Sequence, residues 1–172
     1  MFILNHVKPE EASGKVAEAY SVFPPGFPIP DPLILMSASP DLAYQQSGII
    51  RHYMTHEKLD MGLLAMIRYL VANEYNYPFC INLNAGILKQ AGGFSESELE
   101  TLRANPENAP LEDSQKALLL FVLKVVKTPE EVQKADIDQL HEMGWRDQDI
   151  LDAAFHGTSM ISASKLFKAF VK

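Results

Sequence analysis

The 172-residue chain has a single cysteine, Cys80, and no excess of basic residues. One cysteine excludes an internal disulfide and indicates a reducing, cytoplasmic environment. The formal net charge of -7 and the pI near 5.2 argue against nucleic acid or an anionic membrane as a partner, because both select for clustered Lys and Arg. Any partner recognised through a basic surface patch is therefore not expected.

Long apolar runs are also missing. Arg68 interrupts the apolar segment at residues 62–72 and Lys124 interrupts the one at 117–126, so neither approaches the ~20 residues that cross a membrane. Residues 1–8 lack the charged-then-apolar order of a signal peptide. With 47% hydrophobic residues, the chain is long enough to bury one core, and a single domain over residues 1–172 is predicted.

Helix signals dominate, and alternating strand patterns are nearly absent, so we predict an all-α bundle. A proline-rich connector is expected at residues 22–32. Ser95 and Glu98 form a capping-box pattern, and Thr128-Pro129-Glu130-Glu131 predicts the start of another helix. The predicted helices cover residues 9–20, 41–52, 60–73, 78–90, a short segment from 95, 114–127, a segment from 129 that ends at Gly144, and 147–171.

A weak internal repeat accompanies these helices. Gly93-Phe94 recurs 51 residues later as Gly144-Trp145, each time between a helix end and an acidic helix start. The spacing favours a duplicated helical unit. The alternative is that glycine, an aromatic and an acidic residue simply make good helix punctuation.

Residues 77–84, Tyr-Pro-Phe-Cys-Ile-Asn-Leu-Asn, carry the pattern closest to chemistry. Pro78 suits the first position of a helix, which places Cys80 among the unpaired N–H groups of the first turn. Those donors and the helix dipole favour a thiolate, so the sequence predicts a lowered pKa for Cys80. The alternative is that Cys80 is a small hydrophobic residue in a helical core.

The same eight residues resemble a degenerate form of the Cys-x-x-Cys-x-x-x-His active-site motif of alkylhydroperoxidase D-like proteins, which belong to the carboxymuconolactone decarboxylase family. Phe79-Cys80-Ile81 match the middle of the motif, whereas Tyr77 replaces the first cysteine and Asn84 replaces the histidine. Ala65 occupies the place of a relay glutamate. The resemblance covers roughly residues 32–170 and implies the helical core of that family.

Four side chains are the candidate catalytic residues. Cys80 is the nucleophile, Asn84 one turn later is expected to donate a hydrogen bond that orients it, and Tyr77 or its neighbour Tyr75 is a candidate proton donor. His156, among small residues on the last helix, is the candidate proton shuttle, with a core or interface role as the alternative.

No metal or cofactor is predicted. His52 and His56 have the spacing of two metal ligands on a helix, but they lie at a predicted helix end, where histidine is favoured by the dipole. The acidic residues around Asp136 and Asp138 are interpreted as a solvated helix face.

The resemblance implies a peroxidase-related antioxidant oxidoreductase that reduces peroxides or exchanges thiols through Cys80, although enzymatic activity is left open. Without a resolving cysteine, an external thiol or Cys80 of a second subunit must complete the cycle. A homo-oligomer is expected, since family members form dimers, trimers or hexamers. One alternative is a catalytically degenerate oligomeric scaffold or small-ligand-binding protein. A third is decarboxylation of a lactone acid, for which only Arg51, Arg68 and Lys89 offer basic groups.

Overall fold

A computed structural model describes all 172 residues, Met1–Lys172, and confirms the all-α prediction. The only extended pairing is an isolated antiparallel bridge between Phe2 and Val171. None of the helices combines the length and the apolar character needed to cross a membrane. The helices are α1 (Gly14–Tyr20), α2 (Asp31–Met36), α3 (Pro40–Met54), α4 (Met61–Glu74), α5 (Pro78–Gly92), α6 (Glu96–Ala104), α7 (Asp113–Lys127), α8 (Lys134–Glu142) and α9 (Asp147–Phe170).

The chain divides into two compact units, so the single domain over residues 1–172 stays a prediction. The first unit comprises residues 1–57 and 165–172 and contains α1, α2 and α3. Within it, the hydroxyl group of Tyr20 donates to the carbonyl of Val7 at 2.7 Å. Its small core consists of Val16, Ala19, Tyr20, Leu33 and Ala43.

The second unit, residues 58–164, contains α4 to α8 and most of α9. Helix α4 is its central element, because residues 63–67 and 69–72 are all buried. Asp60 begins this helix by accepting a hydrogen bond from the Leu63 N–H at 2.9 Å. A helix that is apolar on every side is typical of a core position. Arg68 is its only charged residue before the C-terminal Glu74.

The two glycine-aromatic pairs end helices in the same way. Gly93 and Gly144 both have positive φ, 70° and 89°. The N–H that follows each glycine bonds back into its helix, from Phe94 to Leu88 O at 3.2 Å and from Trp145 to Leu140 O at 3.0 Å. This is the bonding of a left-handed helix cap, which glycine permits without a steric penalty. A duplicated helical unit and simple helix punctuation both predict this cap, so the cap does not distinguish the two explanations of the repeat.

Several predicted boundaries need correction. Both Pro-Glu-Glu sequences form only a short 3-10 turn, at Pro9–Glu11 and Pro129–Glu131, and the α-helices start later, at Gly14 and Lys134. The break follows from extended backbone immediately after each turn, at Ala12 and Val132. The proline-rich connector ends at Pro30, because Asp31 and Pro32 occupy the first turn of α2, where proline is tolerated. The capping box at Ser95 and Glu98 is confirmed.

Candidate functional site

Arg68 lies at the centre of a polar cluster that joins three helices of the second unit. Its Nε donates to Oδ1 of Asn84 on α5 at 2.7 Å, and its first terminal nitrogen donates to Nε2 of His156 on α9 at 3.0 Å. The second terminal nitrogen lies 3.7 Å from the sulfur of Met61, at the start of α4. The guanidinium therefore connects two of the four predicted site residues.

Asn84 links this cluster to the backbone beneath Cys80. The side chain is fully buried, and its Nδ2 donates to the carbonyl oxygen of Cys80 at 2.7 Å. The sequence predicts instead a hydrogen bond that orients the thiol. The difference is local: an Asn side chain readily reaches the carbonyl four residues earlier in its own helix. Because the Asn84 amide group donates to this carbonyl, its Oδ1 faces Arg68 and accepts the hydrogen bond from Nε.

Cys80 is the third residue of α5 and is only 7% exposed. Burial raises the pKa of the thiol to about 11, and the nearby Tyr77 and the charge of Arg68 offset this rise only in part. The predicted lowering of this pKa is therefore wrong. A helix N-terminus contributes only about 0.3–1 kcal/mol, whereas a shift of two pKa units corresponds to about 2.7 kcal/mol.

Tyr77 lies directly before α5, three residues ahead of Cys80, at the motif position of the missing cysteine. It is almost fully buried, and its N–H donates to Ala72 O at 2.8 Å, which fixes the turn between α4 and α5. Asn76 makes that turn with a left-handed φ of 47°. The hydroxyl of Tyr75 instead donates to Val126 O at 3.4 Å. Of the two tyrosines, only Tyr77 acts on the pKa of the thiol, which it lowers.

His156 is a hydrogen-bond acceptor in this cluster. A guanidinium can only donate, so Nε2 accepts from Arg68 and the ring hydrogen lies on Nδ1, where it bonds to the backbone of Leu64. Burial and the nearby charge of Arg68 lower the pKa of His156 to about 3. The ring is therefore neutral at physiological pH and its Nε2 is occupied, so its geometry fits a positioning role better than the predicted proton shuttle.

A close helix contact and an ion pair set the position of His156. A Cβ on the neighbouring Gly157 would lie 2.5 Å from Cγ1 of Val122, so only glycine lets α9 approach α7 this closely. At the start of α9, Arg146 donates twice, at 2.9 Å, to the buried carboxylate of Asp149. These bonds hold the pKa of Asp149 at about 2.

Arg68, the centre of this cluster, is not among the predicted catalytic residues, since the sequence suggests it only as a cation for a lactone acid. The signal was available: no other charged residue lies between Met61 and Asn73. Lys89, the second basic residue considered, forms an ion pair with Glu96 instead. Arg51 belongs to the first unit.

Comparisons with known proteins now place this arrangement. No family model and no curated protein sequence matches the chain. Several solved structures do match it, and two of them are compared with the chain here. One is a peroxidase-related protein from Silicibacter sp. TM1040, with a TM-score of 0.69 and 22% identity over 80% of this chain and 72% of the other. The second is an alkylhydroperoxidase AhpD core, a peroxidase-related protein from Ralstonia eutropha JMP134, with a TM-score of 0.71 and 22% identity over 91% and 80%.

The chain has the alkylhydroperoxidase D-like fold. The resemblance seen in residues 77–84 is thus confirmed at the level of the fold. At 22% identity the likeness does not extend to activity. This chain has an arginine, a neutral histidine, an asparagine and a tyrosine around its one cysteine.

Proposed function

We propose that this protein is peroxidase-related and that Cys80 is its nucleophile, acting through one-cysteine chemistry. The observation that carries the proposal is the guanidinium of Arg68, which Asn84 and His156 hold and whose charge offsets part of the rise in the pKa of the thiol. A fixed cation stabilises the thiolate, the form that attacks peroxides. The named similarity of the two solved structures to peroxidases supports the same class.

The oxidising step transfers one oxygen atom. The Cys80 proton leaves to solvent, and the thiolate attacks one peroxide oxygen, so that an S–O bond forms and the O–O bond breaks. The products are a sulfenic acid and an alkoxide or hydroxide, which takes up one proton. Tyr77, which lies near enough to the thiol to lower its pKa, is positioned to donate that proton and to recover it from water.

The reducing step uses an external thiol, since this chain has no second cysteine. The thiol attacks the sulfenic sulfur, which gives a mixed disulfide and water. A second external thiol then releases Cys80 and leaves as the oxidised disulfide. In an oligomer, Cys80 of another subunit is the other candidate for the first of these attacks.

The raised thiol pKa predicts slow turnover at neutral pH. With a pKa of about 11, roughly one molecule in 10⁴ carries the thiolate at pH 7. The rate should therefore rise about tenfold per pH unit above pH 7. The rise should level off near pH 11, where half of the thiol is ionised.

The test is hydrogen peroxide consumption with dithiothreitol as the reductant. Wild type should show protein-dependent turnover, Cys80→Ser should show none, and Arg68→Gln should lose about tenfold, which is ~1.4 kcal/mol. Lys89→Gln is the matched control. It removes a positive charge from α5, the helix of Cys80, at a position outside the cluster, and it should leave the rate unchanged. Equal rates for wild type and Cys80→Ser would remove the thiol from the mechanism.

Burial of Cys80 favours a second candidate, a non-catalytic oligomeric scaffold. A role as a small-ligand-binding protein has less support. A cavity of about 210 Å³ between α7 and α8, lined in part by Phe121, Lys124 and Asp136, is smaller than the ~300 Å³ at which ligand pockets usually begin. A lactone decarboxylase would need several cations around a diacid, and only Arg68 lies in the cluster. An inactive wild type would leave the scaffold as the better explanation.

A further inference from the structure

The charge of Arg68 has no carboxylate partner. Its three contacts are an amide oxygen, an imidazole nitrogen and a thioether sulfur, all neutral. This holds in a chain with 22 acidic residues, several of which pair with lysines or with Arg146. A partly buried cation without a counter-ion is costly, and an anion bound to it would offset part of that cost.

The remaining donors of Arg68 fit a carboxylate. A guanidinium has five N–H groups, of which Asn84, His156 and Met61 take one each. One N–H therefore remains on each terminal nitrogen. These two donors are referred to as the fork, and each can donate to one oxygen of a carboxylate.

The spare donors lie on the accessible side of the cluster. Nε is directed at the fully buried Asn84, whereas the second terminal nitrogen lies beside Met61, which is 48% exposed. Cys80 lies near enough for its thiolate, when it forms, to raise the pKa of Arg68. An anion on the fork would therefore enter from the Met61 side and lie near the thiol.

We infer that Arg68 binds the carboxylate of a small organic molecule and thereby holds that molecule against Cys80, with Asn84 and His156 as the residues that position the guanidinium. This inference rests on the proposed function and gives its substrate class: a hydroperoxide that carries a carboxylate, in preference to a neutral one.

The first experiment compares two alkylating reagents that differ in charge. Iodoacetate is a carboxylate and iodoacetamide is its neutral analogue, and Cys80 is the only thiol for either to modify. Alkylation is followed by intact mass at about pH 8.5, where Arg68 keeps its charge. The iodoacetate-to-iodoacetamide rate ratio cancels the thiolate fraction, so a change in thiol pKa does not affect it. The wild-type ratio should exceed that of N-acetylcysteine amide by about tenfold.

Variants at residue 61 test the charge without disturbing the core. Met61→Glu places a carboxylate beside the fork as an internal competitor, and Met61→Gln has the same shape without the charge. Met61→Glu should lower the ratio about tenfold, to that of the free thiol, while Met61→Gln should keep the wild-type ratio. Arg68→Gln should also lose the preference. A wild-type ratio equal to that of the free thiol, or equal ratios in the two residue-61 variants, would overturn the inference.

If the thiol is too buried to react with either reagent, the binding of acetate replaces alkylation as the measurement. At constant ionic strength, acetate should raise the Tm of wild type and Met61→Gln but not that of Met61→Glu, and acetamide should raise none of them. The same response to acetate in all three proteins would overturn the site.

Peroxide turnover separates this inference from the proposed function. If wild type consumes no peroxide but keeps its iodoacetate or acetate preference, the carboxylate site stands and the peroxidase proposal fails. If peroxide is consumed, a carboxylate-bearing alkyl hydroperoxide should show a kcat/KM about tenfold above that of its methyl ester. Equal values for the acid and the ester would reject the substrate class while leaving the peroxidase proposal in place.

Discussion

Replacing His156 with glutamine should make this protein markedly less sensitive to acid. In the folded chain the pKa of His156 is lowered to about 3, by burial first and then by the charge of Arg68. In the unfolded chain the ring titrates at its ordinary value of about 6.5. Below pH 6.5 the unfolded state therefore binds a proton that the folded state does not, and the free energy of unfolding falls as the pH falls.

The size of the effect follows from the pKa difference. Between pH 7 and pH 5 this one group should cost about 2 kcal/mol, and the full loss, complete near pH 3, should approach about 5 kcal/mol. Small domains have only about 5–15 kcal/mol of stability in total. Protonation of His156 would also place a second cation against Arg68, so α9 should separate from α4 early in acid unfolding.

The substitution is chosen to retain the contact with Arg68. The side-chain oxygen of glutamine can take the place of Nε2 as the acceptor, but it does not titrate. Urea unfolding of wild type and His156→Gln at pH 7, 6 and 5 should show the two stabilities converging as the pH falls, with the difference changing by about 2 kcal/mol. His141→Gln, which removes an exposed histidine bonded to Asp147, is the control and should follow wild type. Parallel curves for wild type and His156→Gln would refute the buried-neutral assignment.

Three further predictions concern the surroundings of the site. Gly157→Ala should lower the free energy of unfolding by about 1–3 kcal/mol in urea titrations, because its methyl group overlaps Val122, and a stable variant would contradict the close contact of α9 with α7. Tyr77→Cys with Asn84→His should close a 77–80 disulfide that dithiothreitol reverses, and should consume peroxide at least about tenfold faster than wild type; a folded but open dithiol would count against an intact motif backbone. The chain should be a homo-oligomer, because α9 exposes Leu151 and Phe155 one turn apart, with Leu151 69% exposed. Leu151→Glu should weaken the assembly, and light scattering that finds only a 19.2 kDa species for wild type would reject the prediction.

Helix boundaries were predictable wherever the signal is local. The start of α5 at Pro78, its end before Gly93 and the capping box that begins α6 all depend on residues within one turn of each other. Predictions were wrong where two local signals compete. Each Pro-Glu-Glu sequence is a good helix start, yet an extended residue after each one stops the helix within a turn.

The electrostatics of the site could not be predicted in the same way, because they depend on contacts between distant residues. Arg68 meets Asn84 sixteen residues later and His156 eighty-eight residues later. A helix start lowers a thiol pKa when the thiol stays in water, but the packing that removes Cys80 from water is tertiary and dominates. The sequence alone singles out Cys80, Asn84 and His156, but neither Arg68 at their centre nor which side chain donates to which.

The cluster also differs from the motif it resembles in the kind of group it supplies, because it contains a cation in place of proton acceptors. In that motif a glutamate and a histidine supply groups that can accept a proton, whereas here Ala65 and Asn84 hold those positions and neither can. His156 has a nitrogen that could in principle accept a proton, but this Nε2 already accepts a hydrogen bond from Arg68 and the pKa of the ring is lowered to about 3. Arg68 can stabilise a thiolate once it exists, but it cannot remove the proton. The thiol proton must therefore leave to solvent or to an incoming anion, and a carboxylate held by Arg68 would supply the missing acceptor as well as the missing counter-charge.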